Sequence, residues 1–152
     1  MPRFSLQLLA VALAVALPAA AAVTVSFPSP TYSDIGAPGF DSDRNKNDLA
    51  RHLQALGAKY LAPNEELWVE VVDVDLAGDR TMGRHDLRVT RGTSDFPRMT
   101  LRFKLSGSRT ASGQDDIGDS SYQWMPSRAR SPEPLESEKR MLEDWFKQRF
   151  AR

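Results

Sequence analysis

The chain has no cysteine in 152 residues and only two histidines, His52 and His85. The first absence excludes disulfide staples, thiol nucleophiles and lipid attachment through a cysteine. The second leaves a zinc site with no short ligand spacing, so both histidines and an aspartate would have to converge from afar. An excess of one charge is missing too, since 20 Lys plus Arg balance 20 Asp plus Glu. That balance gives no reason to expect nucleic acid or a general attraction to anionic membrane as partner. No Gly-x-Ser-x-Gly occurs, and no serine stands in a context that separates it from turn chemistry. No catalytic residue and no cofactor are therefore predicted. Long apolar runs are confined to one, Leu8 to Leu17.

That run sits in a recognisable layout. Arg3 gives a positive start and Pro18 to Ala22 a small-residue tail. Together they predict a secretory signal peptide over residues 1–22, cleaved after Ala22 at an Ala-x-Ala-type site. The run is short for a bilayer span, so no transmembrane anchor is expected after cleavage. Losing Arg3 leaves 19 bases against 20 acids, a net charge of −1. Residues 23–152 are long enough to fold as a single domain without staples, and a periplasmic location is expected.

The longest β-branched stretch runs from Leu67 to Asp79. Period-two alternation places Leu67, Val69, Val71, Asp73 and Asp75 on one face and Trp68, Glu70, Val72, Val74 and Leu76 on the other. The reading is a central strand buried on both sides at its start, unless a bulge near Val71 and Val72 moves the aspartates across. Val23, Val25 and Phe27 alternate as a first strand, and residues 31–46 read as loop. Leu49, Leu53 and Leu56 form a helical stripe from about Asn47, which can cap it, to Leu56, with Gly57 at the C-terminal position. Asp86 to Thr90 is a third strand and Arg98 to Ser106 a half-buried fourth, with Met99, Leu101, Phe103 and Leu105 inward. Residues 106–121 read as a mobile polar segment, and Tyr122 to Met125 as a short edge strand. Ser131-Pro132-Glu133-Pro134 starts a last helix, its prolines tolerated only in the first turn. Its stripe is Met141, Leu142, Trp145, Phe146 and Phe150, with Glu136, Glu138, Lys139, Arg140, Lys147 and Arg149 outside it. This element order predicts an α+β domain: an antiparallel or mixed sheet of four to five strands, with two helices packed on one face.

Val-Thr-Val-Ser-Phe followed by Tyr32-Ser33-Asp34-Ile35, then Val-Asp-Val-Asp-Leu-Ala-Gly, then Glu-Asp-Trp145-Phe146 together resemble the exported bacterial family known as domain of unknown function 3016. The likeness covers essentially all of residues 23–152, and Asp-Leu-Ala-Gly is its most specific part. It implies an exported single-domain protein and carries over no catalytic residue and no ligand.

Two surfaces are candidates for binding. One is the acidic turn, Asp73, Asp75 and Asp79, with Arg84 nearby. Read as a helix-loop-helix calcium loop it fails, because the fifth position is Ala77 and the twelfth Arg84. A looser site on the three aspartates competes with a structural role in which they take turn amides or pair with Arg80 or Arg84. No metal is predicted. The other is a basic strip, Arg98, Arg102 and Lys104, with Arg88 across a neighbouring strand. Such like charges need an intervening acid, for which Glu70 is placed, or an anionic partner. The functional expectation is a non-enzymatic domain binding a periplasmic protein or an anionic envelope polymer through its uncovered sheet face. The alternative is a small hydrolase using carboxylates near Asp73 and Asp75.

Overall fold

The computed structural model describes residues 20–81, 84–89, 95–119 and 134–151, with residues 79–81, 84–87 and 89 described through their backbone alone. The expected strand at Tyr122 to Met125 lies outside the described residues. Strand β1 (Ala22–Ser26) leads through helix α1 (Phe40–Tyr60) to β2 (Glu66–Asp75), and β1 and β2 pair in parallel. A hairpin follows, β3 (Asp79–Thr81) with β4 (Arg84–Val89), forming a separate two-stranded sheet. Strands β5 (Arg98–Ser106) and β6 (Ala111–Gly118) then complete the main sheet in the order β1-β2-β5-β6, and α2 (Glu136–Phe150) closes the chain. The fold is α+β, with a mixed four-stranded sheet and two helices in one domain.

One core accounts for the layering. Leu49, Leu53 and Leu56 of α1 and Leu142, Trp145, Phe146 and Phe150 of α2 are buried with Leu67, Val69 and Val71 of β2 and Met99, Leu101, Phe103 and Leu105 of β5. Both helices thus cover the same sheet face. The reading of β2 as buried on both sides is corrected: Trp68, on the opposite face, keeps 56 % of its surface exposed. No described element packs there.

The aspartates of β2 do change face. Val71 pairs with Leu101 and Asp73 with the adjacent Thr100, so Val72 is an extra residue bulged out of the ladder. Beyond it Val74 is fully buried with the inward set, and Asp73 and Asp75 lie on the side of Trp68 and Glu70. The strand ends at Asp75 rather than Asp79.

Helix α1 begins seven residues before the expected Asn47, after Gly39, whose φ of 89° is left-handed. Its buried positions are Ser42, Asn45, Leu49, Leu53, Leu56 and Gly57, so the inward stripe starts polar and hides from an apolar count. Asn45 donates from Nδ2 to the Ile35 carbonyl at 3.0 Å, and Asp41 and Asp43 suit the dipole of the first turn. Gly57 is inside the helix, not its cap. A Cβ there would lie 2.1 Å from Cγ2 of Val23, so glycine is what lets α1 close on β1. Gly57→Ala, which would favour an exposed helix by roughly 1 kcal/mol, is instead expected to cost about 1–3 kcal/mol. Urea midpoints would check this, and adding Val23→Ala should recover part of the loss; a stabilised Gly57→Ala would contradict the contact.

Residues 111–118, expected as mobile, form β6. Its inward positions, Ala111, Gly113, Asp115 and Ile117, are too mixed to show alternation, yet the two least apolar have a reason. A Cβ on Gly113 would meet the Phe103 ring at 3.2 Å, and Asp115 accepts from Trp145 Nε1 at 2.9 Å and from Arg149 Nε at 2.8 Å. Burial pushes the Asp115 carboxyl up, but these bonds outweigh it and the net shift is downward. Asp116 accepts from Thr100 at 2.7 Å and Asp119 from Arg140 at 2.7 Å, so these acids are structural rather than loosely solvated.

Candidate functional site

The uncovered face is laid out in cross-strand rows, because the ladder brings outward positions of four strands into register. One row is Thr24, Trp68, Lys104 and Ser112; the next is Ser26, Glu70, Arg102 and Gln114. They line a trough of about 510 Å³. Lys104 Nζ stands 5.9 Å from the centroid of the Trp68 ring. Arg102 pairs with Glu70 and reaches Gln114 Oε1 at 3.4 Å, so Glu70 is the intervening acid expected from like charges on β5. Arg88 does not join this strip. It belongs to β4 in the small sheet, where its guanidinium bonds the carbonyls of Leu76 and Gly78 and the Asp34 carboxylate, and its Nε donates to the Ala77 carbonyl at 2.7 Å.

Beyond the bulge the same face turns acidic. Asp73 opposes Thr100, which opposes Asp116, and Asp75 opposes Arg98. Ser33 donates to the two oxygens of Asp73, from its amide at 2.8 Å and its hydroxyl at 2.6 Å. Burial, then the Asp34 carboxylate, pushes the Asp75 carboxyl above its ordinary value, with Arg98 opposing. Arg98 stacks over Phe96 at 4.3 Å. The expected reach of Arg80 or Arg84 to these aspartates, the side chain of Asp79 and that of His85 lie outside the described residues.

The turn after β2 is fastened from several parts of the chain. The Asp34 amide bonds the Val74 carbonyl at 2.8 Å, and the Leu76 amide bonds the Asp34 carbonyl at 3.0 Å. The Gly78 amide donates to Asp95 at 3.0 Å, and the Ala77 amide to Glu138 of α2 at 3.0 Å. Glu138, expected on the solvent side of its helix, is buried, and burial pushes its carboxyl up against the pull of the Ala77 amide. A cavity of about 550 Å³ opens beside the turn, lined by Tyr32, Asp34, Lys46, Asp75 and Asp95 among others. Among the described residues no three His, Asp or Glu side chains are placed to hold one metal ion. His52 lies against α2, with Nε2 donating to the Lys139 carbonyl at 2.8 Å, and burial lowers its pKa.

The structure therefore separates the seven candidates. Arg98, Arg102, Lys104, Asp73 and Asp75 share one face, basic and aromatic at one end and acidic at the other. Trp68, which dominates that face, was missed as a site residue because alternation alone assigned it to a buried side. Its signal was present in its own strand, since Glu70 two residues on shares its face and is a poor occupant for a buried one.

A family model described as a protein of unknown function (DUF3016) matches residues 21–148. The chain belongs to the DUF3016 family. The Tyr32-Ser33-Asp34-Ile35 and Asp75-Leu76-Ala77-Gly78 segments of this DUF3016 chain lie side by side, joined by the bridge between Asp34 and Asp75. No curated protein and no solved structure matches the chain.

Proposed function

We propose that this DUF3016 chain is an exported, non-enzymatic binding domain whose uncovered sheet face takes an anionic polymer of the cell envelope. The observation that carries the reading is Trp68. A large aromatic ring more than half exposed, on a sheet face with no covering element among the described residues and inside a trough, offers a rigid apolar platform that a ligand can bury. Lys104 beside it supplies the positive charge. Export rests on the layout of residues 1–22.

The test is co-sedimentation of the purified protein with insoluble peptidoglycan sacculi and with lipopolysaccharide vesicles. The wild-type protein should sediment with one of them, and Trp68→Ala should stay in the supernatant with an unchanged melting midpoint. Failure to sediment with either, or equal sedimentation of Trp68→Ala, would sink the reading. Export is checked separately by N-terminal sequencing of the periplasmic protein, expected to start at Val23.

A second reading, a small hydrolase at the acidic rim, is favoured by Asp75, since a raised carboxyl is what a general acid needs. Against it, Asp73 has both oxygens taken by Ser33. Turnover of an ester, phosphate or glycoside substrate that is lost in Asp75→Asn and kept in Trp68→Ala would replace the first reading by this one.

A further inference from the structure

Resting on that reading of the sheet face, we propose that its occupant is a carboxylate-bearing oligosaccharide, lying across the strands with one pyranose ring stacked on Trp68 and its carboxylate on Lys104. The shape of the row comes first. Trp68 is flanked in register by Thr24 and Lys104, and Lys104 by Ser112. The short hydroxyl side chains on the two outer strands leave the indole standing above its surroundings. A pyranose ring offers a face of C–H bonds and a rim of hydroxyls. The electron-rich indole face attracts the former, and Ser26, Glu70, Ser112 and Gln114 provide donors and acceptors for the latter. The row spans about 14 Å at ordinary strand spacing, which suits a short run of sugars rather than a single one.

Charge selects the kind of saccharide. Among the described residues no carboxylate pairs with Lys104, whereas its neighbour Arg102 is committed to Glu70. One accessible cation fits one monoanion. Along the strands the surroundings reverse: roughly 13 Å from Lys104, at four residues' rise, stand Thr100 and its partners Asp73 and Asp116. A densely charged polyanion running that way would meet repelling carboxylates. The ligand therefore crosses the strands and carries its charge at the Lys104 end, which favours an acidic sugar among neutral ones over a polyphosphate.

The experiment is a titration of the purified protein with a short oligouronate, with the neutral oligosaccharide of the same linkage, and with short-chain polyphosphate. The readout is the set of indole N–H resonances, with that of Trp68 assigned from Trp68→Phe. The oligouronate should move the Trp68 resonance. Trp68→Ala should weaken its binding about tenfold or more, through loss of the apolar area that the ring and the sugar face bury together, while Trp68→Phe keeps most of it. Lys104→Met should weaken oligouronate binding about two- to fivefold and leave the neutral sugar unaffected. Stronger binding of polyphosphate, or an oligouronate affinity indifferent to Lys104→Met, would overturn the proposal. So would Trp68-dependent sedimentation with sacculi or vesicles in the absence of any oligouronate binding, although the face would then still be a binding surface. Absence of both would remove the binding surface as well.

Discussion

Arg109→Ala is expected to destabilise the protein by about 3–5 kcal/mol, the range for stranding one member of a buried ion pair. Its partner Glu65 is fully buried and accepts from Arg109 Nε at 2.7 Å and Nη2 at 2.8 Å, from Ser108 Oγ at 2.6 Å and from the Ala62 amide at 2.9 Å. Arg109 also donates to the Phe150 carbonyl at 3.1 Å, so one guanidinium joins the start of β2, the β5–β6 turn and the end of α2. The two partners are not equivalent. A third of the Arg109 side chain reaches solvent and can rehydrate, while none of Glu65 can. Glu65→Ala should therefore cost less than Arg109→Ala.

The pH dependence follows from the direction of the shift. The Arg109 hydrogen bonds, outweighing burial, hold the Glu65 carboxyl far below the ordinary 4.5. A depressed carboxyl contributes stability that is present above the unfolded pKa and is lost as pH falls toward the folded one. In Arg109→Ala that contribution is gone at neutral pH already. The gap between wild type and variant, read from urea midpoints, should narrow once pH drops below the ordinary glutamate range of about 4.3. A gap that stays constant as pH falls below that range, or equal losses in the two variants, would contradict the account.

The second large effect is expected at Trp145. The ring is 5 % exposed and meets Phe103, Phe146 and Phe150 edge to face, with centroids 6.0, 6.0 and 5.4 Å away. Trp145→Ala should cost about 3–5 kcal/mol by opening a cavity between α2 and the sheet. For a domain of this size the melting midpoint should fall by on the order of 10–20 °C. Trp145→Phe keeps most of the ring contact and loses only the bond to Asp115, which Arg149 still holds, so about 1 kcal/mol is expected there. A midpoint unmoved by Trp145→Ala would mean that α2 is not docked on the sheet.

These core contacts were legible in the sequence. Leu142, Trp145, Phe146 and Phe150 on one helical stripe, and Met99, Leu101, Phe103 and Leu105 on one strand face, leave few other ways to bury both. The inward leucines of α1 were readable for the same reason. What escaped was structure built on polar burial. Ser42 and Asn45 carry the α1 stripe into a segment that composition marks as loop. Asp115 fills an inward position of β6 by bonding Trp145 and Arg149, partners about thirty residues away. Glu138 leaves its polar helix face because the Ala77 amide, brought close by the fold alone, needs an acceptor. In the candidate site, the basic strip and its acid Glu70 followed from alternation, but Trp68 was hidden by reading the start of β2 as buried on both sides, although the element order already placed both helices on one face.

The bulge at Val72 has a consequence for how this strand can change in length. Without Val72, the order Leu67 to Asp75 alternates perfectly, with every valine inward and every acid outward, and the bulge stores the surplus residue. A deletion there would shorten the strand while keeping each side chain on its present face. A deletion at Glu70 would instead turn Trp68 into the core or Asp73 and Asp75 beneath the helices, unless the bulge dissolved to absorb it. The reading frame of β2 thus has one residue of slack, located between the aromatic and the acidic halves of the open face. Length variation among relatives of this chain should collect at that point of the strand, where the two halves can slide in register without either being buried.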